Sequence, residues 1–416
     1  MAGTALPVPH SGVADDSDAA VAWVAEHLGH LSLEGPDGVR ASPAFRGGQP
    51  AADAALAALD VTGYAGRRNQ VLPERARGAS RMSPYIRHGL LDLPAVWDHV
   101  ADAPSKDRTK YRDELLWQEY ARHVYARVGP AMREPLRFAP ARGEGWRGPP
   151  WPEQMRCMEV TTEELYRDGW LVNQTRMWLA SQWTVRAGQD WREGEDEFYR
   201  HLLDGSRAAN RLGWQWTVGT GTGKAYGFSR WQVEKRAPGL CATCPLQRRC
   251  PIDAWPDAEA GERVDEPEAL RRGGSSGGMA GPTAVERTGV PPTAVWLTAE
   301  SLGDADPALA AHPDLPVVFV FDALLLERLR LSGKRLVFLV ETLAALARDR
   351  DLELHLGAPA AVLDGRAVAV THAPVPGFRR LSARVQPVET HPWRWLVRPS
   401  GGAAQSFSAW RRTTGA

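Results

Sequence analysis

Cysteine is scarce in this chain of 416 residues: there are four, and three of them lie within ten residues of one another. That spacing excludes a disulfide-stapled scaffold and reads as metal ligation in a reducing compartment. Net charge is missing too. Lys+Arg 50 balances Asp+Glu 50, so no whole-chain field marks a polyanionic partner, and any nucleic-acid surface must be a local patch. No apolar run reaches the roughly 18 residues that span a bilayer, and Met1 to Asp18 lacks the basic-then-apolar layout of a signal peptide. A cytoplasmic location with no membrane partner is expected. Lysine is sparse beside Ala, Arg, Gly and Pro, a composition without functional content. Strand candidates are nearly absent before residue 256.

What is present divides the chain. The first dozen residues read as loose. From Asp18, helical spacing recurs in AAVAWVAEHLGHL, AADAALAALDV, LLDLPAVWDHV, KYRDELLWQEYARHVYARV, TTEELYRDGWLVNQTRMWLASQWTVRA and GEDEFYRHLLDG. Residues 1–256 are therefore expected to form an α-helical domain. Residues 257–292 are rich in Gly, Ser, Pro and charge without a periodic core pattern, and read as a flexible linker. Residues 293–416 change period. AVWLTA (294–299), VVFVFD (317–322) and LELHL (352–356) suit buried parallel strands, with an amphipathic helix at 333–349 between the last two. They predict a small α/β, doubly wound parallel sheet.

Three constellations carry chemistry. Between Gly169 and Trp216 lie six tryptophans, Trp170, Trp178, Trp183, Trp191, Trp214 and Trp216, a density that suggests stacking or electron transfer. Asn173, Arg176, Asp204 and Asn210 are polar positions in otherwise apolar helical segments, and buried polar groups need partners: a polar heteroaromatic cofactor, or ordinary interhelical pairs. Cys241, Cys244 and Cys250, completed by Cys157, give four possible thiolates. They are open to a [4Fe-4S] cluster, a structural zinc or free thiols; the Cys-Pro ending leans toward iron and sulfur. In ASRMSPYI, Ser80 and Ser83 with nearby amides lead into a helix, an arrangement suited to a diphosphate or to a plain helix cap. GTGTGKA (219–225) is one residue short of a phosphate loop and lacks its hydroxyl, so it reads as a turn.

The ordered motifs YAGRRN (64–69), SRMSPYIRHG (80–89), DELLWQEYARH (113–123), WLVNQTRMWLAS (170–181), DWREGEDEF (190–198) and LDGSRAANRLGWQW (203–216) resemble the FAD-binding domain of DNA photolyases and cryptochromes. The resemblance spans roughly residues 45–230. It implies that Tyr64, Ser80, Arg81, Met82 and Ser83 hold the FAD pyrophosphate; that Asn173, Arg176 and Asp204 surround the folded flavin and adenine; and that Asn210 sits beside flavin N5. Glu114, Trp117, Met177 and Trp216 match positions that meet a cyclobutane pyrimidine dimer, with the two indoles wedging a flipped lesion. Trp214 and Trp191 match the inner members of an electron-hopping chain; Trp146 and Trp151 are candidates for its outer member. Ala79, Tyr111, Gln118, Gln174 and Ser206 depart from the family pattern. The His-His pair of (6-4) photolyases is absent, the chain reading Val172-Asn173.

The resemblance also implies a use for the cysteines, because a bacterial subgroup carries a [4Fe-4S] cluster on residues in the order of Cys157, Cys241, Cys244 and Cys250. The α/β segment resembles the antenna domain with which photolyases begin, here placed last. A circularly permuted photolyase architecture is expected: a helical FAD-binding domain followed by a Rossmann-like α/β domain, with no antenna chromophore assigned. The implied function is light-dependent repair of UV-damaged DNA, in which photoexcited reduced FAD passes an electron to a cyclobutane dimer. The alternative is a cryptochrome-like blue-light receptor acting on a protein signalling partner.

Overall fold

The computed structural model describes residues 3–256, 258, 261–270, 278–400, 402 and 404–414. Its contacts divide the chain into two compact units, residues 1–59, 82–99 and 276–399 in the first and 60–81, 100–275 and 400–416 in the second.

The first unit is built on a seven-stranded mixed sheet. Its strands are β1 (Thr4–Leu6), β2 (Glu286–Arg287), β3 (Ala294–Leu297), β4 (Val317–Asp322), β5 (Leu352–Gly357), β6 (Val368–Thr371) and β7 (Glu389–His391), in the order β1-β5-β4-β3-β6-β7-β2. The five central strands are parallel, and β1 and β2 close the edges antiparallel. Every residue of β3 and the first five of β4 are buried, which is why both read as unbroken apolar runs. Thr4–Leu6, expected to be loose, instead pairs with Leu354–Leu356. Three elements of the parallel sheet thus match the sequence expectation, while the antiparallel edges were not visible in it.

The helix Gly333–Leu346 is buried along its whole length, not amphipathic as its pattern suggested. The N-terminal segment covers it. Buried Glu341 accepts hydrogen bonds from Ser17 Oγ (2.7 Å) and the Gly47 amide (2.8 Å), so its charge is not stranded. Gly47 is required for that approach: a Cβ there would lie 2.1 Å from the Phe338 carbonyl oxygen. These contacts bind residues 1–59 to the sheet, and a helical domain running unbroken over 1–256 is not what forms.

The second unit is helical. It contains Ser105–Val128, Arg156–Asp168, Asn173–Ala180, a π-helical turn Ser181–Arg186, Trp191–His201, Arg207–Thr217, Arg230–Arg236 and a C-terminal helix, Phe407–Thr414. Gly169, at φ 67°, ends the second of these in the left-handed conformation, which splits the sequence's single long helical pattern. Asp190 caps the helix at Trp191 by accepting from the Arg192 amide. Trp178, Trp191, Trp214, Phe198, Phe228 and Met158 lie in one apolar core.

The stretch read as a linker is partly anchored. Within the helical unit the Ala139 amide donates to Glu262 O and the Val264 amide to Arg137 O, both 2.8 Å, and Leu270 is buried. Within the sheet unit Trp395 Nε1 donates to Ala280 O (3.0 Å) and Arg398 to Pro282 O (2.9 Å). Residues 271–277 of that stretch lie outside the described residues. The tail past residue 400 belongs to the helical unit rather than to the α/β domain expected over 293–416.

Candidate flavin and sulfur sites

Asn173–Ala180, Trp191–His201 and Arg207–Thr217 frame the polar site. Arg176 forks onto Asp204, with N–O distances of 2.7 and 3.2 Å, and its Nε donates to Leu171 O. The carboxylate is buried, so this bidentate pair fixes both side chains. Asn210 is also buried, and its Nδ2 has no hydrogen-bond partner among the described residues. An orphaned buried amide calls for an acceptor. A flavin ring edge supplies one, and the residue fits the group expected beside it. Asn173 is exposed, and Met177 half-buried.

Trp191 and Trp214 are buried, and neither indole N–H has a partner among the described residues. Gly194 makes their packing possible: a Cβ there would lie 2.2 Å from the Trp214 ring. Phe198 meets Trp214 edge-on at 5.1 Å and Trp151 at 6.2 Å. Of the two outer candidates, Trp151 therefore has a packed connection to the inner pair, and its Nε1 donates to Leu179 O. Trp146 is partly buried on the same core, bonded to Pro149 O. Trp178 stacks on Phe228 at 6.0 Å, a packing role.

In the segment expected to hold pyrophosphate, Tyr64 is buried edge-on to Tyr111 at 4.9 Å. Burial raises both phenols, that of Tyr111 to about 12. Ser80 is half-buried. Arg81 is exposed at φ 62°, in the left-handed region that a side chain normally avoids, with its guanidinium 5.6 Å from the Trp170 ring. Met82 and Ser83 fall in the other unit, where Met82 is buried and Ser83 opens the five-residue helix Ser83–Arg87. Gln174, one of the departures, is buried and donates to Tyr226 Oη at 2.8 Å. A neutral amide suits that buried site, where a charged side chain would be costly.

The residues expected at the lesion are differently placed. Glu114 is held by Lys110 (2.8 Å) and Arg68 (3.2 Å). Trp216 is 42% exposed and tilted against Tyr226 at 5.6 Å. Trp117 carries Phe407 flat against its ring, with centroids 3.9 Å apart and planes 12° from parallel. The C-terminal helix is fastened there: Arg411 Nε meets Asp113 at 2.7 Å, Trp410 Nε1 donates to His123 Nδ1 at 3.0 Å, and Tyr120 Oη donates to Ala404 O at 2.9 Å. These tail residues were not singled out from sequence. The three-residue spacing of Phe407 and Trp410 was the only signal.

All four cysteines line one small, partly open cavity of about 20 Å³, with Met155, Leu240 and Ile252. Cys157 sits in the first turn of its helix; Cys241 and Cys244 bracket a short 3-10 turn. The loop is tied down by Arg230, whose amide donates to Ile252 O and whose NH1 donates to Gln247 O. No disulfide joins them. Burial, and then the neighbouring thiols, push Cys157 up; burial raises Cys241 to about 11 and Cys250 likewise in direction.

The segment that bears this frame, residues 158–237, matches the family model described as the FAD binding domain of DNA photolyase. That segment is thus similar to a photolyase-type flavin-binding domain. Among its relatives, the deoxyribodipyrimidine photo-lyase of Synechococcus sp. is 28% identical over 200 residues, 42% of this chain and 40% of that one. That of Alkalihalophilus pseudofirmus is 30% identical over 177 residues, 39% and 35% of the two chains. The crystal structure of a Synechocystis cryptochrome superposes with a TM-score of 0.42 at 23% identity, covering 51% of this chain and 48% of that one. The matched stretch spans well under half the length of the curated relatives.

Proposed function

We propose that this protein is a light-dependent flavoprotein that splits cyclobutane pyrimidine dimers in UV-damaged DNA. The observation that carries the reading is the unpartnered Asn210 amide beside the Arg176–Asp204 pair and two dry indoles, all within the matched segment. FAD, when bound, supplies light-driven one-electron chemistry. Asn210 donates a hydrogen bond to the ring edge, and Arg176 with Asp204 orients it; Asn173, Tyr64, Ser80 and Arg81 are assigned to the rest of the cofactor. Trp214 and Trp191 relay electrons inside a water-free core, with Trp151 as the outer member. Trp117 and Trp216 stack on a flipped lesion, and Glu114 accepts from a base edge after loosening Arg68 or Lys110. A base can stack on the covered face of Trp117 only after Phe407 leaves it.

That cover favours a second reading, a blue-light receptor without repair, in which the C-terminal helix stays closed over Trp117 or is released to a protein partner. The gathering of Cys157, Cys241, Cys244 and Cys250 around one cavity supports a metal centre there, a [4Fe-4S] cluster with a structural zinc as the alternative. The parallel strand order β5-β4-β3-β6-β7 is that of a Rossmann-like sheet, and it supports an antenna-like domain moved to the C-terminal side by circular permutation. Four unbridged thiols support a reducing, cytoplasmic setting.

The test is to purify the protein anaerobically, record flavin and cluster absorbance, and illuminate a UV-irradiated thymidine oligomer with reduced flavin bound. Dimer loss in light and not in darkness is expected. Unchanged dimer with flavin that still photoreduces would favour the receptor. Absence of flavin would end both readings.

A further inference from the structure

We infer that His312, Glu389 and His391, in the sheet unit, form a binding site for a divalent transition-metal cation with two imidazole ligands and one carboxylate. Strand β7 puts Glu389 and His391 two residues apart, on one face. His312, the first residue after the helix Pro307–Ala311, reaches the same carboxylate. Nε2 of His391 lies 2.6 Å and Nε2 of His312 3.0 Å from Glu389 Oε1. All three ligand atoms lie within 4.8 Å of one another. The two rings are perpendicular, with centroids 5.9 Å apart, so their nitrogens converge on one point from different directions instead of stacking.

The scaffold is rigid. The Glu389 and His391 side chains are 5% and 4% exposed, whereas His312 at 20% is the open side. Asp306 accepts from the Leu309 amide at 2.8 Å and so caps the helix that delivers His312; the His372 amide donates to His391 O at 2.9 Å. Arg287 Nε occupies the other carboxylate oxygen at 3.2 Å, leaving Oε1 as a monodentate ligand. Two imidazoles and a carboxylate without sulfur suit Zn²⁺ or Fe²⁺, and three protein ligands leave a position for water. This donor set differs in kind from the four thiols, which makes the two separable by spectroscopy.

The experiment is a cobalt(II) titration of the full chain after chelator treatment, in the native protein and in Cys244→Ala. Weak d–d absorption distinct from any sulfur-to-cobalt charge-transfer band should saturate in both, and zinc should displace it. His391→Ala and Glu389→Gln should weaken that uptake at least tenfold while leaving the charge-transfer band of the sulfur site. Because the buried variants could fail to fold, His312→Ala, at the open side, provides the second readout: zinc should raise Tm in the native protein and raise it less in this variant. Equal cobalt affinity in native, Glu389→Gln and His312→Ala proteins would overturn the proposal. Uptake only at the sulfur site would do so too, and would identify the cluster as imidazoles hydrogen-bonded to a carboxylate.

Discussion

Two groups of tryptophans in the helical unit share a residue type and little else. Trp178, Trp191 and Trp214 are buried, packed among Phe198 and Phe228, and their N–H groups lack partners among the described residues. Trp117 is half-buried, with Phe407 flat on its ring, and Trp216 is 42% exposed. The first group is fixed by helix packing that a glycine makes possible; the second is held by side chains that can leave. Indoles in the first environment are suited to a relay that needs dryness, and in the second to stacking on something that arrives from outside.

The contrast can be broken most directly by stability. Trp214→Ala should cost about 3–5 kcal/mol in urea unfolding, against under ~1 kcal/mol for Trp216→Ala; equal costs would erase the distinction. Gly194→Ala, whose methyl would enter the Trp214 ring, should cost about 1–3 kcal/mol, read as a shift in midpoint. Trp117→Ala in a chain ending at Ser400 should weaken binding to a UV-irradiated oligomer by about 1–3 kcal/mol, the worth of one base stack. Measured by fluorescence anisotropy, an unchanged affinity would remove Trp117 from the lesion site. Phe407→Ala in the full chain should move affinity the other way, severalfold tighter, because the tail no longer competes for the ring; no gain would mean that the helix is not a barrier.

The smallest effect concerns the rim of the helix Trp191–His201. The hydrogen bond from His201 holds the Glu197 carboxyl below its usual range. A depressed carboxyl contributes stability that is present above its unfolded pKa, about 4.3, and lost as pH falls through the lower folded value. Glu197→Gln should flatten acid unfolding by ~0.5 kcal/mol and leave the buried indoles untouched at neutral pH.

Much of the site was legible because it is local. The motif around Asn173 and Arg176, and the loop through Asp204 to Asn210, carry helix starts, a glycine stop and polar positions at fixed spacing. The strands β3, β4 and β5 were legible because burial on both faces leaves unbroken apolar runs. The domain limits were not, because neither Glu341 nor Gly47 reveals from its neighbours that one satisfies the other across 294 residues. The tail was missed for the same reason: Phe407 matters only through Trp117.

By itself, then, the sequence determined where most of the helical stretches lie, which polar residues interrupt their apolar faces, and that four thiols were available to one centre. Those properties follow from periodicity and side-chain chemistry over short stretches. Tertiary structure alone decided that Asn210 Nδ2 lacks a partner among the described residues, that the four cysteines gather around one cavity, that Phe407 covers Trp117, and that two histidines converge on Glu389. Each is a meeting of distant segments, governed by packing and by the cost of leaving buried polar groups unpaired, and no local pattern encodes it.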